Sequence, residues 1–269
     1  LLALWIGDWA PAALFYSERM IYFPLGLIAT ALGTVLLPTF SNQAAQDDRA
    51  AITTTLTTTL RHMLYIMIPA AVGLLWLSAP ILTTLFNWQG AFDANSTCLA
   101  ARALACYAPG LIIFSAAKLI VPAFYALQDT RTPVRIGIRV VGLNLLFNLL
   151  AVWLLPTYWK HAGMAAATVL AEGIGMLLLI RTLNKRLPPL PSRSLITDAA
   201  QHLGRALIMG ALTGLFFSFL FQLLPFAEKI NQLIALTSAI AFGITTYLLL
   251  SRSRPEQQEI IQALRRKSK

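Results

Sequence analysis

The chain of 269 residues is 57% hydrophobic and only 12% charged, with a net charge of +10 from 21 Lys+Arg against 11 Asp+Glu. Soluble domains carry about 25% charged residues, so this composition, with a mean hydropathy of +0.68, excludes an ordinary soluble fold and points to a protein that crosses a membrane several times. The basic residues sit in loops, where they set topology and meet anionic lipid; a nucleic-acid partner is not expected.

The chain begins at Leu1 without a signal-peptide n-region, and Leu1–Gly7 reads as the end of an earlier apolar span, so the C-terminal part of a longer protein is expected. Apolar runs long enough to cross a hydrocarbon core of about 30 Å fall at roughly 11–39, 60–86, 98–127, 134–155, 162–183, 202–224 and 230–250. Lipid admits only helices or closed barrels, and the period-two barrel pattern is absent. The expected fold class is therefore an all-α, polytopic membrane bundle of seven spans.

In the first run, Glu18 and Arg19 sit within Leu14–Leu27. If the helix starts at Trp9, Arg19 is ten residues in, about 15 Å deep. A charge there costs about 2.5–3.5 kcal/mol on insertion scales and is expected to face a cavity. If the span instead runs from Ile21 to Phe40, the pair lies at the interface and snorkels. Adjacent helical residues point about 100° apart, so the two side chains cannot serve one spot. Arg19 suits an oxyanion because its planar fork binds in bidentate fashion and keeps its charge; Glu18 is a candidate support for it.

Further along, Pro24, Pro38, Pro69, Pro80, Pro109 and Pro122 interrupt the first three spans. Such kinks suit a transporter that rocks about a cavity, although proline is also frequent in membrane helices generally. Cys98 and Cys106 are eight residues apart, about 12 Å along a helix, too far for a disulfide; with no metal-ligand spacing around them they read as packing residues. Lys118 lies nine residues from Gln128 at the end of its span, so it either lines the cavity or snorkels. Asn144 and Asn148 share one face of span four; they suit interhelical hydrogen bonding or a candidate cation site. Glu172 is the other deep acid, with Arg19 or Lys118 as candidate partners. Small residues at four-residue spacing (Ala29/Gly33, Gly163/Ala167, Ala171/Gly175, Gly210/Gly214) predict close helix packing.

The segment Arg186–Arg193 is the clearest linker. It divides the chain into a five-span bundle over 1–185, a linker over 186–200, two further helices over 201–251 and a basic tail over 252–269. Pro255–Lys269 reads as an amphipathic surface helix or a solvated tail. One alternate set of loops, with Arg61, holds 16 of the 21 basic residues, while the opposite set has Arg102, Lys160 and Lys229. The positive-inside rule then puts the C-terminus in the cytoplasm, with Trp88, Tyr158 and Trp159 at outer helix ends as an aromatic belt. His62, His161 and His202 fall near helix ends and are expected to be interfacial. No P-loop, GxSxG or HExxH motif occurs, so an enzyme is not expected; transport or lipid handling remains.

Two stretches carry a resemblance. Tyr16-Ser-Glu-Arg-Met-Ile-Tyr-Phe-Pro-Leu-Gly26, with Ala31-Leu-Gly-Thr-Val-Leu-Leu-Pro-Thr-Phe-Ser41, resembles the signature helix of the MurJ/MviN family of lipid II flippases. Lys118-Leu-Ile-Val-Pro-Ala-Phe-Tyr-Ala-Leu-Gln-Asp-Thr-Arg-Thr-Pro-Val134 resembles a second family motif. The hydropathy pattern is similar to the last seven of that family's fourteen helices. The resemblance implies a transporter of the multidrug/oligosaccharidyl-lipid/polysaccharide exporter type, with two six-helix lobes around a cavity and two extra C-terminal helices forming a groove for a polyprenyl tail. It implies translocation of lipid II, the undecaprenyl-diphosphate-linked peptidoglycan precursor, from the inner to the outer leaflet of the bacterial inner membrane by alternating access, in the service of cell-wall synthesis. Substrate contact falls on Arg19, Glu18 and Lys118, with Arg19 expected at the diphosphate. Glu18 stands where the family has Asp or Asn, and Tyr22 lies near the position where some members carry an acid. No cofactor is implied beyond coupling to sodium or to the membrane potential; Asn144 and Asn148 have the spacing of a family sodium pair but lack its acidic ligand. Implied partners are lipid II, anionic lipids and other peptidoglycan-synthesis proteins. Competing readings are an exporter of another polyprenyl-linked oligosaccharide or of a drug cation, and a non-transporting scaffold of the cell-wall machinery.

Overall fold

A computed structural model of the chain describes residues 2–87, 93–225, 227–252 and 254–259. The first long span joins α1 (Ala10–Pro24) and α2 (Ala31–Ala45) through a π-helical turn, Leu25–Thr30. Pro24 has no N–H to give the carbonyl one turn back, and the wide turn follows directly after it. Next come α3 (Arg49–Trp76), α4 (Ser78–Phe86), α5 (Ala94–Tyr107), α6 (Gly110–Ala126), α7 (Arg131–Leu154), α8 (Thr157–Leu183), α9 (Ser192–Leu223) and α10 (Glu228–Leu250). Six helical stretches are long and apolar enough to span a membrane, and α5 with α6, bent by 45°, makes a seventh. The seven expected spans are all present.

Their boundaries differ from expectation where side chains repair the backbone. Span two was expected over 60–86, but α3 starts at Arg49 and ends at Trp76. Asp48 caps its start, accepting from the Ala51 N–H at 2.8 Å. The threonine-rich segment stays helical because Thr53, Thr54, Thr57 and Thr59 return their hydroxyls to carbonyls four residues back. On the inner side Ile52, Leu56, Leu60, Met63 and Met67 form a buried stripe. Leu77 breaks the helix, and Pro80 sits in the first turn of α4 rather than in mid-span. Pro109 likewise stands at the break between α5 and α6. The linker is shorter than 186–200, because α9 begins at Ser192.

Small residues set the helix seams. A Cβ on Gly163 would overlap Leu155, and one on Gly175 would overlap Val140, so α7 and α8 approach at these points. On α9, Gly210 and Gly214 receive the Trp76 ring of α3, where added Cβ atoms would lie 3.2 and 2.6 Å from ring atoms. The outer faces of α7 and α9 stay apolar and exposed (Ile138, Val141, Trp153, Leu215, Phe219), as lipid contact requires. Tyr158 and Trp159 are exposed at the start of α8 and flank the Arg102 guanidinium at 4.0 and 4.8 Å; Trp88 lies outside the described residues.

Two expectations are corrected. His161 and His202 are not interfacial; both are fully buried. His161 Nε2 meets the Leu99 carbonyl at 2.9 Å and its ring stands edge-on to Trp9, while His202 Nδ1 meets the Tyr247 hydroxyl at 3.2 Å. The tail leaves α10 but does not lie free from its start: residues 255–259 are helical, and Glu256 and Gln257 are buried against the bundle. Residues 260–269 are outside the described set.

The α7–α8 seam gives a direct test. Gly175→Val should push Val140 aside and lower stability by about 1–3 kcal/mol, whereas Gly204→Ala, whose Cβ meets nothing within 4 Å, should match the wild type or exceed it by up to about 1 kcal/mol. Thermal unfolding in detergent compares them; equal melting points would refute the close approach.

Candidate functional site

A cavity of about 270 Å³ opens where α1, α5, α6 and α8 meet, with Glu18, Tyr22, Tyr107, Lys118, Thr168 and Glu172 in its wall. Several of the polar wall groups are held by hydrogen bonds. The Tyr22 hydroxyl donates to Glu18 Oε1 at 2.9 Å, one helical turn away. Lys118 Nζ donates to Thr30 Oγ1 at 3.1 Å, on the π-helical turn, rather than to either carboxylate. From α7, Asn148 Nδ2 donates to Asn144 Oδ1 at 2.7 Å and Asn144 Nδ2 donates to Thr168 Oγ1 at 3.0 Å. This chain runs from the lipid-facing helix to the cavity wall. Asn144 thus makes the expected interhelical hydrogen bond and Asn148 supports it from one turn on within α7, while Asn148 Oδ1 is buried with no partner among the described residues.

The structure separates Glu18 from Arg19. Glu18 lines the cavity; Arg19 does not. Its guanidinium lies 4.8 Å from the Phe15 ring centroid, on an exposed stripe that runs from α1 through Phe23 to Leu27 of the π-helical turn. Lys118 is in the cavity wall, and so is Glu172, but among the described residues no ion pair joins Glu172 to Arg19 or Lys118. The wall therefore carries two carboxylates and one ammonium, with the arginine on an adjoining face. Sequence reasoning left Tyr107 and Thr168 out of the site. The spacing of Thr168 from Asn144 gives no one-dimensional signal, because their bond crosses from α7 to α8.

Below the cavity, the Gln-Asp-Thr-Arg-Thr-Pro-Val stretch does structural work. Gln128 takes a left-handed conformation (φ 57°) that closes α6, and the Asp129 N–H bonds back to the Phe124 carbonyl at 2.9 Å. Asp129 then accepts from the Thr132 N–H at 3.0 Å at the start of α7, and its other oxygen meets Arg186 Nη1 of the linker at 2.6 Å. Arg49 of α3 reaches the Arg186 carbonyl at 3.4 Å, and Thr53 reaches that of Pro188 at 3.2 Å. One aspartate thus ties α6, α7 and the linker together.

A sequence model of the family described as Lipid II flippase MurJ matches residues 1–254. The chain belongs to this family. The lipid II flippase MurJ of Burkholderia cenocepacia is 35% identical over 207 residues, covering 77% of this chain and 39% of that protein. A probable lipid II flippase MurJ of Vibrio cholerae is 31% identical over 243 residues, 88% of this chain and 44% of its relative. A solved structure of a lipid II flippase MurJ in an inward closed conformation superposes with a TM-score of 0.70 at 26% identity, covering 90% of this chain and 46% of that one. The chain spans less than half the length of these relatives. The match establishes the all-helical membrane-transporter fold and a multi-pass membrane protein, and the family's second motif lands on the Asp129 tie.

The hydrogen bonds from Thr132, and after them Arg186, hold the Asp129 carboxyl below the usual carboxylate range. A depressed folded-state value stabilises the protein above the ordinary carboxylate pKa of about 4 and loses that contribution as pH falls through the folded value. Asp129→Asn should therefore lower the melting temperature at pH 7, with the gap to wild type closing on acidification below about pH 4; a gap that is independent of pH would show that the charge of Asp129 is not what matters.

Proposed function

We propose that this chain forms the second lobe and the two extra helices of a lipid II flippase, and that the exposed α1–α2 face bearing Arg19 looks into the translocation path. The observation that carries the reading is the conjunction of a family match over residues 1–254 with an arginine that pairs with no carboxylate among the described residues, on an exposed face beside the cavity. In the mechanism, Arg19 presents its fork to the diphosphate. Tyr22 holds the Glu18 carboxylate at the cavity wall, where its negative charge keeps the diphosphate on the Arg19 side. Lys118, held by Thr30, supplies the positive charge within the cavity that a passing anion meets. The exposed apolar faces of α9 and α10 suit a polyprenyl tail, and the basic loops suit anionic lipid. The reading makes the protein a transporter rather than an enzyme, working beside other proteins of peptidoglycan synthesis in the bacterial inner membrane.

The partnerless Asn148 oxygen, with Asn144 and Thr168 beside it, favours a sodium ion as the coupling ion. These are neutral oxygens that fit a weakly held monovalent cation. They would hold it between α7 and α8, where its charge links the packing of those helices to the cavity wall.

In the complete protein, Arg19→Ala should cut the rate of lipid II translocation in vesicles at least tenfold, with Arg19→Lys intermediate because it keeps the charge and loses the fork. Full translocation by Arg19→Ala would remove Arg19 from the diphosphate site, and no translocation by the wild type would leave a scaffold role. Equal transport of a different polyprenyl-linked oligosaccharide would widen the substrate. Replacing sodium by potassium in the same assay should slow the wild type several-fold, and an unchanged rate would remove sodium from the mechanism.

The same reading puts the basic loops and the C-terminus in the cytoplasm. A cysteine appended after Lys269 should react with a membrane-impermeant thiol reagent only from the cytoplasmic side; labelling from the outside would reverse the topology.

A further inference from the structure

The α9–α10 hairpin meets the five-span bundle chiefly along α3, with a smaller contact from α10 to α4. At the end of this seam nearest the C-terminus the contact changes character. Arg61 Nε pairs with Asp198 at 3.2 Å and Arg61 Nη2 donates to Ser194 at 2.8 Å, which anchors the first turns of α9 on α3. The Tyr65 hydroxyl meets Ser251 at 3.1 Å, and Ser251 also donates back to the Tyr247 carbonyl at 2.5 Å. The Tyr65 ring stands edge-on to His202 at 5.5 Å, and the Tyr247 hydroxyl bonds to that same histidine. The chain then turns at Arg254 and lays residues 255–259 back over the seam. Glu256 and Gln257 are 4% and 8% exposed, and Glu259 pairs with His62 of α3 at 3.0 Å.

This closed arrangement is costly. Among the described residues, His202 Nε2, Arg205 Nη1, Glu256 Oε2 and Gln257 Oε1 are all buried here without a hydrogen-bond partner. Buried polar groups are almost always satisfied, and each exception raises the free energy of the state that contains it. What holds the segment at its rim, the His62–Glu259 pair, is largely solvent-exposed on the Glu259 side, where such pairs are weak. A segment that is docked but internally unsatisfied is poised to release.

We infer that residues 254–259 form a releasable clasp that locks the α9–α10 hairpin onto α3, and that its release frees the hairpin to shift along that seam. The clasp is a regulatory device rather than part of the cavity. Its consequence for transport rests on the tail-binding role proposed for α9 and α10; its existence does not.

Two truncations of the complete protein in lipid nanodiscs test it, one ending at Glu259 and the other at Arg254. Backbone hydrogen exchange is measured in residues 194–205 and 247–251. Ending at Glu259 should leave exchange at the level of the complete chain, whereas ending at Arg254 should raise it at least tenfold. No rise on ending at Arg254 overturns the clasp, as does an equal rise on ending at Glu259, which would assign the effect to the last ten residues. Should the shorter protein fail to fold, a cycle of Glu259→Gln, His62→Gln and the double variant in the complete chain decides. Each single change should raise exchange about threefold and the double no further, whereas additive effects or none would refute the lock. A rise in exchange on ending at Arg254 with transport unchanged would uphold the clasp and count only against the tail-binding role proposed for the hairpin.

Discussion

Inside a bilayer the backbone has no solvent to turn to, so every amide must find its partner within the protein. This constraint decides how a proline-rich membrane chain can be built at all. Irregular backbone is tolerated only where protein encloses it or it lines a water-filled space, and each irregular segment here buries at least part of itself. Leu25 and Ala29 in the π-helical turn are buried, Leu77 between α3 and α4 is buried, and Ala108 before Pro109 is buried. The widened turn also creates an opportunity. It carries Thr30, whose hydroxyl holds Lys118, so an irregular segment of backbone positions one of the few cations at membrane depth. Irregularity and cavity coincide because only a protein-lined space tolerates either.

The same rule explains what the sequence announces and what it hides. Long apolar runs bounded by charged loops announce spans, because hydrophobic length is a one-dimensional property. Where a helix ends is not. The segment 49–59 reads as a polar loop by composition, yet its threonines satisfy their own hydroxyls on the helix they belong to and the helix runs straight through. Leu77 itself gives no breaking signal in sequence, but Pro80 does: it has no N–H for the Trp76 carbonyl four residues back, and α3 ends at Trp76. The two buried histidines mislead for a related reason: proximity to a helix end in sequence suggested an interface, but neighbouring helices rise past those ends and enclose them.

At the cavity, the distinction between Glu18 and Arg19 was legible from helical geometry alone, since neighbours about 100° apart must face different environments. Which of the two lines the enclosed space was not legible. It depends on α5 and α8 closing over one side of α1, through contacts such as the buried Ser17 hydroxyl with the Ala100 carbonyl at 2.7 Å. Glu172 shows the same gap. Its depth predicted a partner, and the helices instead place it across an open space.

The charge balance of that space constrains the mechanism. Two carboxylates and one ammonium make the cavity within this chain a poor resting place for a diphosphate, so under the proposed function the anion would be drawn to Arg19 on the adjoining face and held off the wall. A transporter gains from this arrangement. A site that bound its anion deeply on one side would have to surrender all that affinity to release it. A single arginine on a face adjoining two wall carboxylates gives a shallower well, which a modest shift of the α1–α2 face can deepen or empty. The relatives extend well beyond the part that this chain matches, which leaves room for further positive charge on the facing side. On that argument the acids of this lobe are the counterweight that makes release feasible, and Glu18 serves transport from the cavity wall while Arg19 serves it from the open face.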